Sequence, residues 1–166
     1  ARVKRVELGL RRELGAAIID ADVISRQVVE PHSIGAERIK KTFGEQLFTG
    51  NGELKREMLA KLIFSDEQAR IQLNQLLHPL IMAEMQRQSD EVRGQNKSAA
   101  IIWDIPLLYE ENLTDFVQKV IVVYVPKDIQ QSRLQLRNHL NQIEAEARIQ
   151  SQQNIEEKKR LADYII

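Results

Sequence analysis

Four short apolar runs stand out along a chain that is otherwise polar and helically patterned: residues 16–20 (AAIID), 99–105 (AAIIWDI), 119–125 (KVIVVYV) and 163–166 (DYII). Each is rich in Ile and Val and apolar almost without interruption. A strand with one solvated face alternates, so these runs predict strands buried on both faces. The segments between them carry apolar residues every three or four positions, which is the spacing of one helix face. Val3, Val6, Leu10 and Leu14 form the first stripe, with Gly15 as its stop. Ile34, Ile39 and Phe43 form the second, ended by Gly44, and Leu54, Met58, Leu59, Leu62 and Ile63 the third. Leu73, Leu76, Leu77, Leu80, Ile81 and Met85 form a fourth, expected to bend or break near Pro79, which lacks a backbone donor. Further helices are expected over residues 129–137, 143–149 and 155–161. Strands alternating with helices specify an α/β architecture, a parallel sheet covered by helices on both faces.

No strand is expected between about residues 23 and 93, far more chain than a crossover requires. This stretch reads as a helical insertion, a candidate substrate-binding subdomain. Residues 128–160 are polar and charged and suit a mobile lid beside the last strands. The expected organisation is one domain over 1–166. Its core is about 1–22, 98–127 and 161–166, its helical substrate subdomain about 23–97 and its lid about 128–160.

Composition narrows the function. The 166 residues fit one domain, and 43% hydrophobic with 29% charged residues is a globular rather than a disordered balance. The 24 basic and 24 acidic residues cancel, which argues against a general nucleic-acid or anionic-membrane binder. With no cysteine, disulfides, thiol nucleophiles and thiolate metal sites are excluded. No apolar run is long enough for a bilayer, and no apolar core follows the basic N-terminus as a secretory signal would need. A cytoplasmic monomer or small homo-oligomer is expected.

In an open parallel sheet, ligands bind beyond the carboxyl ends of the strands. The first run ends in Asp20-Ala21-Asp22 and the second in Asp104-Ile105-Pro106-Leu107-Leu108, with Glu110 just beyond. Two acidic strand ends can meet over one cleft, where they could hold Mg²⁺, directly or through water, or accept a hydroxyl proton. Asp22 reads equally as the N-cap of a helix starting at Val23, and Asp104 as a structural hydrogen-bond acceptor. Arg133 and Arg137 would share one helical face. Such a pair suits a transferring phosphoryl group, whose charge spreads over its oxygens. The competing reading is a solvated face with Glu144 and Glu146 as partners. Arg148 and Arg160 lie further along. Arg26, one turn after Asp22, reaches either the same cleft or the surface. His78-Pro79 sits in an apolar helix pattern as a packing or capping residue, and without an accompanying metal motif zinc is not expected. Trp103 reads as core.

Several segments together resemble the dephospho-CoA kinase family. They are Leu14-Gly15, Ile18-Ile19-Asp20-Ala21-Asp22-Val23-Ile24-Ser25-Arg26-Gln27-Val28-Val29-Glu30-Pro31, Phe43-Gly44, Asn51-Gly52-Glu53-Leu54-Lys55-Arg56, Leu76-Leu77-His78-Pro79 and Asp104-Ile105-Pro106-Leu107-Leu108-Tyr109-Glu110. The tail joins them, with Arg133-Leu134-Gln135-Leu136-Arg137-Asn138, Glu144-Ala145-Glu146-Ala147-Arg148-Ile149 and Glu156-Glu157-Lys158-Lys159-Arg160-Leu161-Ala162-Asp163. The match runs in register from about Leu14 to Ile166. The resemblance implies a P-loop kinase of the nucleoside-monophosphate-kinase type, using ATP and Mg²⁺ to phosphorylate the 3′-hydroxyl of dephospho-CoA. That is the final step of coenzyme A biosynthesis. It implies that Asp22 accepts the hydroxyl proton and that Arg133 neutralises the transferring group, with Arg137 assisting. Lys4 and Arg137 would contact the nucleotide; Arg26, His78, Pro106 and Leu107 would contact dephospho-CoA. The helical insertion would receive the pantetheine-bearing substrate. The partners implied are these two small molecules, with no nucleic acid and no membrane.

One feature of the family pattern is missing. No GxxxxGK[ST] loop occurs, no Gly-Lys pair occurs, and the first glycine is Gly9. Backbone N–H groups of such a loop cradle the phosphates. Lys4 stands where the family pattern puts the loop's lysine, but between Val3 and Arg5. The sequence is therefore expected to be incomplete or altered at its N-terminus, and at its other end it stops at a strand where the family continues into a helix. The alternative reading is a degenerate, non-catalytic relative that binds a CoA-like ligand or a protein partner. A different P-loop small-molecule kinase is disfavoured by the Asp20-Ala21-Asp22 and His78-Pro79 contexts.

Overall fold

A computed structural model of the chain describes Gly9 and residues 15–166. The helix expected over Val3 to Leu14, and Lys4 with it, lies outside the described residues. The described chain divides between Ile105 and Pro106 into two compact units.

The first unit opens with strand β1 (Ala17–Asp20), followed by helix α1 (Ala21–Gln27), α2 (Ile34–Phe43), a 3-10 turn (Glu45–Leu47), α3 (Arg56–Ser65), α4 (Glu67–Gln95) and β2 (Ile101–Asp104). β1 and β2 pair in parallel, Ala17 opposite Ile101 and Asp20 opposite Asp104. Ile19, Ile24 and Met85 bury themselves between this ladder, α1 and α4, with Ile81, Met82, Ile101, Trp103 and Ile105 packed around them. A second cluster, Val29, Ala36, Ile39, Leu47, Phe48, Leu59 and Leu73, ties α2, α3 and the start of α4. Ile39, Leu59, Leu73 and Met85 belong to stripes that the sequence spacing marked, whereas Ile24, Val29, Ala36, Leu47 and Phe48 fall outside them.

The boundaries of α2 show how local chemistry sets an element. The Ser33 hydroxyl accepts from the Ala36 N–H at 3.1 Å and donates to the Val28 carbonyl at 2.8 Å, capping the helix and fastening it to the preceding turn. Only glycine fits next to that turn: a Cβ at Gly35 would lie 2.1 Å from the Val28 carbonyl oxygen. The helix stops where Gly44 adopts a φ of 95°, a conformation that glycine enters without steric cost.

The break expected at Pro79 does not occur, and α4 runs unbroken for 29 residues. Proline removes one backbone bond, but Leu73 packs into one cluster and Met85 into the other, so the helix is braced on both sides of it. Trp103 is half-buried against this helix. Its indole N–H donates to the Ser89 hydroxyl at 2.9 Å, which in turn donates to the Met85 carbonyl at 2.8 Å.

The second unit holds a 3-10 turn (Thr114–Phe116), β3 (Ile121–Val122), α5 (Lys127–Asn138), α6 (Gln142–Gln150), α7 (Ile155–Leu161) and β4 (Tyr164–Ile165). β3 and β4 are parallel, Ile121 opposite Tyr164 and Val122 opposite Ile165. His139, with φ 54° and ψ 35°, closes α5 in the left-handed conformation. Asn141 and Glu144 form a reciprocal capping box at the start of α6. The α/β class and the parallel pairing agree with the sequence pattern. The expected burial of every strand on both faces does not hold. Among the described residues β1–β2 and β3–β4 are two separate two-stranded sheets, and Tyr164 and Ile165 are exposed. No helix among the described residues is long and apolar enough to cross a membrane.

Candidate functional site

The two acidic strand ends do come together, and they divide their tasks. Asp20 and Asp104 are opposite each other in the last pair of the β1–β2 ladder. The Asp20 carboxylate accepts from the backbone N–H groups of Asp22 at 2.8 Å and Val23 at 3.1 Å, and so serves as the N-cap of α1. Of the two readings of Asp22, the N-cap of a helix starting at Val23 does not hold: the cap falls two residues earlier because Asp20 is the last extended residue, with φ −98° and ψ 113°. Asp22 then stands in the first helical turn, exposed to solvent, where the helix dipole favours a negative charge. Its backbone carbonyl accepts from the Ser25 hydroxyl, but its carboxylate has no partner among the described residues. Asp104 is engaged in an interaction of its own.

Arg26 follows Asp22 by one turn and is exposed. Its carbonyl accepts from the Arg56 guanidinium at 3.4 Å, which brings two arginines to the end of α1. Sequence spacing gave no sign of Arg56, which is 30 residues away in the chain. His78 is half-buried on α4 and engaged.

In the second unit, Arg133 and Arg137 lie on α5, both exposed. The solvated-face reading offered Glu144 and Glu146 as their partners, and both acids are engaged elsewhere. Glu144 closes the capping box, and Glu146 pairs with Lys127 at 3.0 Å. Arg137 donates to the neighbouring Asn138 side chain at 2.8 Å, and Arg133 has no ion pair among the described residues. Neither guanidinium makes an ion pair among the described residues. Pro106 and Leu107 are exposed immediately after β2, and the Pro106 carbonyl accepts from Lys158 at 3.3 Å.

That lysine belongs to a pair the sequence did not disclose. Lys158 is 9% exposed and lies 2.6 Å from the Glu110 carboxylate. The same carboxylate oxygen accepts from the Gln153 backbone N–H at 3.0 Å. Burial alone would push the Glu110 carboxyl up, but the hydrogen bonds from Lys158, its own N–H and Gln153 outweigh it and hold the group below the usual carboxylate range. A buried cation inside a Glu-Glu-Lys-Lys-Arg run can be detected only by finding the one lysine on the apolar side of its helix.

No group of three or more His, Asp or Glu side chains is placed to hold a metal ion among the described residues. Divalent magnesium does not require such a cage, because it commonly binds through one or two carboxylates and the substrate's phosphates.

Comparison with known proteins gives these residues a context. The family described as CoaE, dephospho-CoA kinase, matches residues 8–166. A dephospho-CoA kinase of Staphylococcus saprophyticus is 40% identical over 152 residues, covering 92% of this chain and 73% of that protein. One of Bacillus cereus is 43% identical over 155 residues, covering 93% of this chain and 77% of that protein. Among solved structures, the dephospho-CoA kinase from Campylobacter jejuni is similar with a TM-score of 0.67 at 31% identity, over 96% of this chain and 79% of that one. The crystal structure of TT1252 from Thermus thermophilus is similar with a TM-score of 0.77 at 27% identity, over 98% of this chain and 80% of that one.

Proposed function

The chain belongs to the dephospho-CoA kinase family, and we propose that it transfers the γ-phosphoryl group of ATP to the 3′-hydroxyl of dephospho-CoA, the last step of coenzyme A biosynthesis, with Asp22 as general base and Arg133 as the charge-neutralising cation. The 3′-oxygen forms a bond to the γ-phosphorus, the bond from that phosphorus to the ADP oxygen breaks, and the hydroxyl proton passes to Asp22. The observation that carries these roles is the division between Asp20 and Asp22. One acid is committed to the helix cap, and the other is exposed, close to the strand end, its carboxylate without a partner among the described residues.

Phosphoryl transfer needs positioning and neutralisation of spread charge more than covalent chemistry. Arg133 and Arg137 are chemically suited to that, since their neighbouring acids are engaged. Arg26, His78, Pro106 and Leu107 are assigned to dephospho-CoA and Lys4 and Arg137 to ATP, with the helical segment 23–97 as the substrate subdomain and 128–160 as the lid. Mg²⁺ would enter on the ATP phosphates, with carboxylates at the strand ends available to hold it directly or through water, and it would withdraw charge from the phosphoryl oxygens. A cytoplasmic location and a monomer or small oligomer belong to the same reading. The non-catalytic alternative is not favoured, because the relatives that cover most of the chain carry the name of the kinase.

The test is to incubate the protein with ATP, Mg²⁺ and dephospho-CoA and to follow product mass. Gain of one phosphoryl group by dephospho-CoA, with none by coenzyme A, whose 3′ position is already phosphorylated, is the expected result. ATP hydrolysis without transfer would overturn the reading.

A further inference from the structure

The helical hairpin formed by α5 and α6 carries Arg133, Arg137 and Arg148, and its two ends are fastened to the same short helix. At its entry, the Tyr124 hydroxyl bonds the Glu156 carboxylate at 2.6 Å, and the Lys159 ammonium lies 4.5 Å from the centre of the Tyr124 ring. At its exit, the Gln153 N–H donates to Glu110, which is paired with Lys158. Glu156, Lys158 and Lys159 all belong to α7. Lys158 also holds the Pro106 carbonyl, so one ammonium joins the loop after β2 to the base of the hairpin.

This pair is poorly arranged as a device for stability alone. Burying two charges carries a desolvation cost that an apolar pair of similar volume avoids. The satisfaction is also incomplete: the second Glu110 carboxylate oxygen and the neighbouring Tyr109 hydroxyl are buried without a hydrogen-bond partner among the described residues. A half-satisfied buried network costs more than an apolar contact. It does constrain geometry, because its bonds tie the segment at Pro106 and Glu110, the residue Gln153 and the helix of Lys158 to one another.

We propose that Glu110 and Lys158 are positioning residues: together with the Tyr124–Glu156 bond they hold the α5–α6 hairpin on α7 and set the orientation in which Arg133 and Arg137 meet the transferring phosphoryl group. The proposal rests on the functional reading above. It adds residues that touch neither reactant and act through the arginines. Chemistry, not substrate affinity, is where their loss registers, since a displacement of about 1 Å at a transferring group costs on the order of a hundredfold in rate.

The experiment compares Glu110→Gln, Lys158→Met and the double variant with the unaltered protein, reading kcat, both KM values and thermal unfolding. Each single variant is expected to lose stability and to lower kcat by about tenfold to a hundredfold, with both KM values changing far less. The double variant removes the uncompensated charge, so it is expected to regain stability without regaining kcat. Recovery of kcat together with stability, or single variants whose kcat is unchanged, would overturn the proposal. If the buried-site variants do not fold, Tyr124→Phe decides: it removes one surface hydroxyl bond and keeps the ring, and a fall in kcat without a matching rise in KM supports the proposal, whereas an unchanged kcat overturns it. Failure of the unaltered protein to phosphorylate dephospho-CoA would instead remove the functional reading and this proposal with it.

Discussion

Asp20 and Asp104 are register partners at the end of the β1–β2 ladder, and the Asp20 carboxylate is turned back onto its own chain to close α1. Asp22, the next acid, stands on the first turn with a carboxylate that has no partner among the described residues. Strand end and helix start are thus joined by one side chain, and the carboxylate proposed for chemistry is not the one that caps the helix.

Replacing each acid in turn separates the roles. Asp22→Asn is expected to lower kcat by about 10²–10⁴-fold, the usual contribution of a general base, while nucleotide binding and unfolding midpoint stay near those of the unaltered protein. Asp20→Ala is expected to cost about 0.5–2 kcal/mol of stability through the lost cap. Denaturant unfolding and single-turnover kinetics on both variants check this. A kcat loss below about tenfold for Asp22→Asn would remove it as the base.

Arg133→Ala is expected to lower kcat more than it raises the KM for dephospho-CoA, because a cation that meets spreading phosphoryl charge acts in the transition state. Arginines in that role contribute about 10³–10⁵-fold in other phosphoryl-transfer enzymes. Arg137→Ala is expected to have the smaller effect. If Arg133→Ala changes only KM, the residue binds the ground state and another cation neutralises the transfer.

The elements were readable from sequence wherever their signals are local. Gly44 marks the end of the second stripe and does close α2 with a φ that glycine favours, whereas the Ser33 cap and the Asn141–Glu144 box are equally local signals that apolar spacing does not report. The same locality explains the errors. Asp20 and Asp22 are both able to cap, and only the backbone angles decide between them. Pro79 carries a local penalty, which contacts of Leu73 and Met85 in two separate clusters override. The apolar runs were right as strands, but burial depends on what covers them, and a run of Ile and Val does not contain its neighbours. Lys158 meets Pro106 across 52 residues, a pairing that no window of sequence displays. At the candidate site, the individual acids and arginines were legible as residue types. Which were already engaged was not, because that depends on partners such as Lys127 and Asn141.

The bond between Trp103 and Ser89 gives a stability prediction with its own reporter, since Trp103 is the chain's one tryptophan. Ser89→Ala leaves the half-buried indole N–H without its acceptor, and an unsatisfied donor in such a place costs about 1–3 kcal/mol. The unfolding midpoint followed by tryptophan fluorescence is expected to fall accordingly. Ser98→Ala, at an exposed serine bonded only to nearby Asn96, is expected to stay within about 0.5 kcal/mol. Equal midpoints for the two variants would show that Ser89 does not satisfy the indole.

Acid should weaken the fold through two carboxylates in the second unit. Burial would raise the Glu110 carboxyl, but the hydrogen bonds from Lys158, its own N–H and Gln153 bring it below the usual range. Asp163 is lowered by its bond with Lys119, 2.7 Å away, and by the Val120 N–H. Both groups hold their proton less tightly folded than unfolded, so as pH falls the unfolded chain takes up protons first and gains relative to the native state. Their contribution is fully present above the ordinary carboxylate pKa of about 4 and is lost as pH falls through the depressed folded values. Denaturant midpoints are therefore expected to change little between about pH 7 and 5 and to decline below about pH 4. Glu110→Gln and Asp163→Asn each remove one linked proton, so each variant should decline less steeply with acid, whatever its midpoint at neutral pH. The opposite result, variant curves parallel to that of the unaltered protein, would mean that the proton uptake on unfolding occurs at other carboxylates and that neither pair carries acid sensitivity.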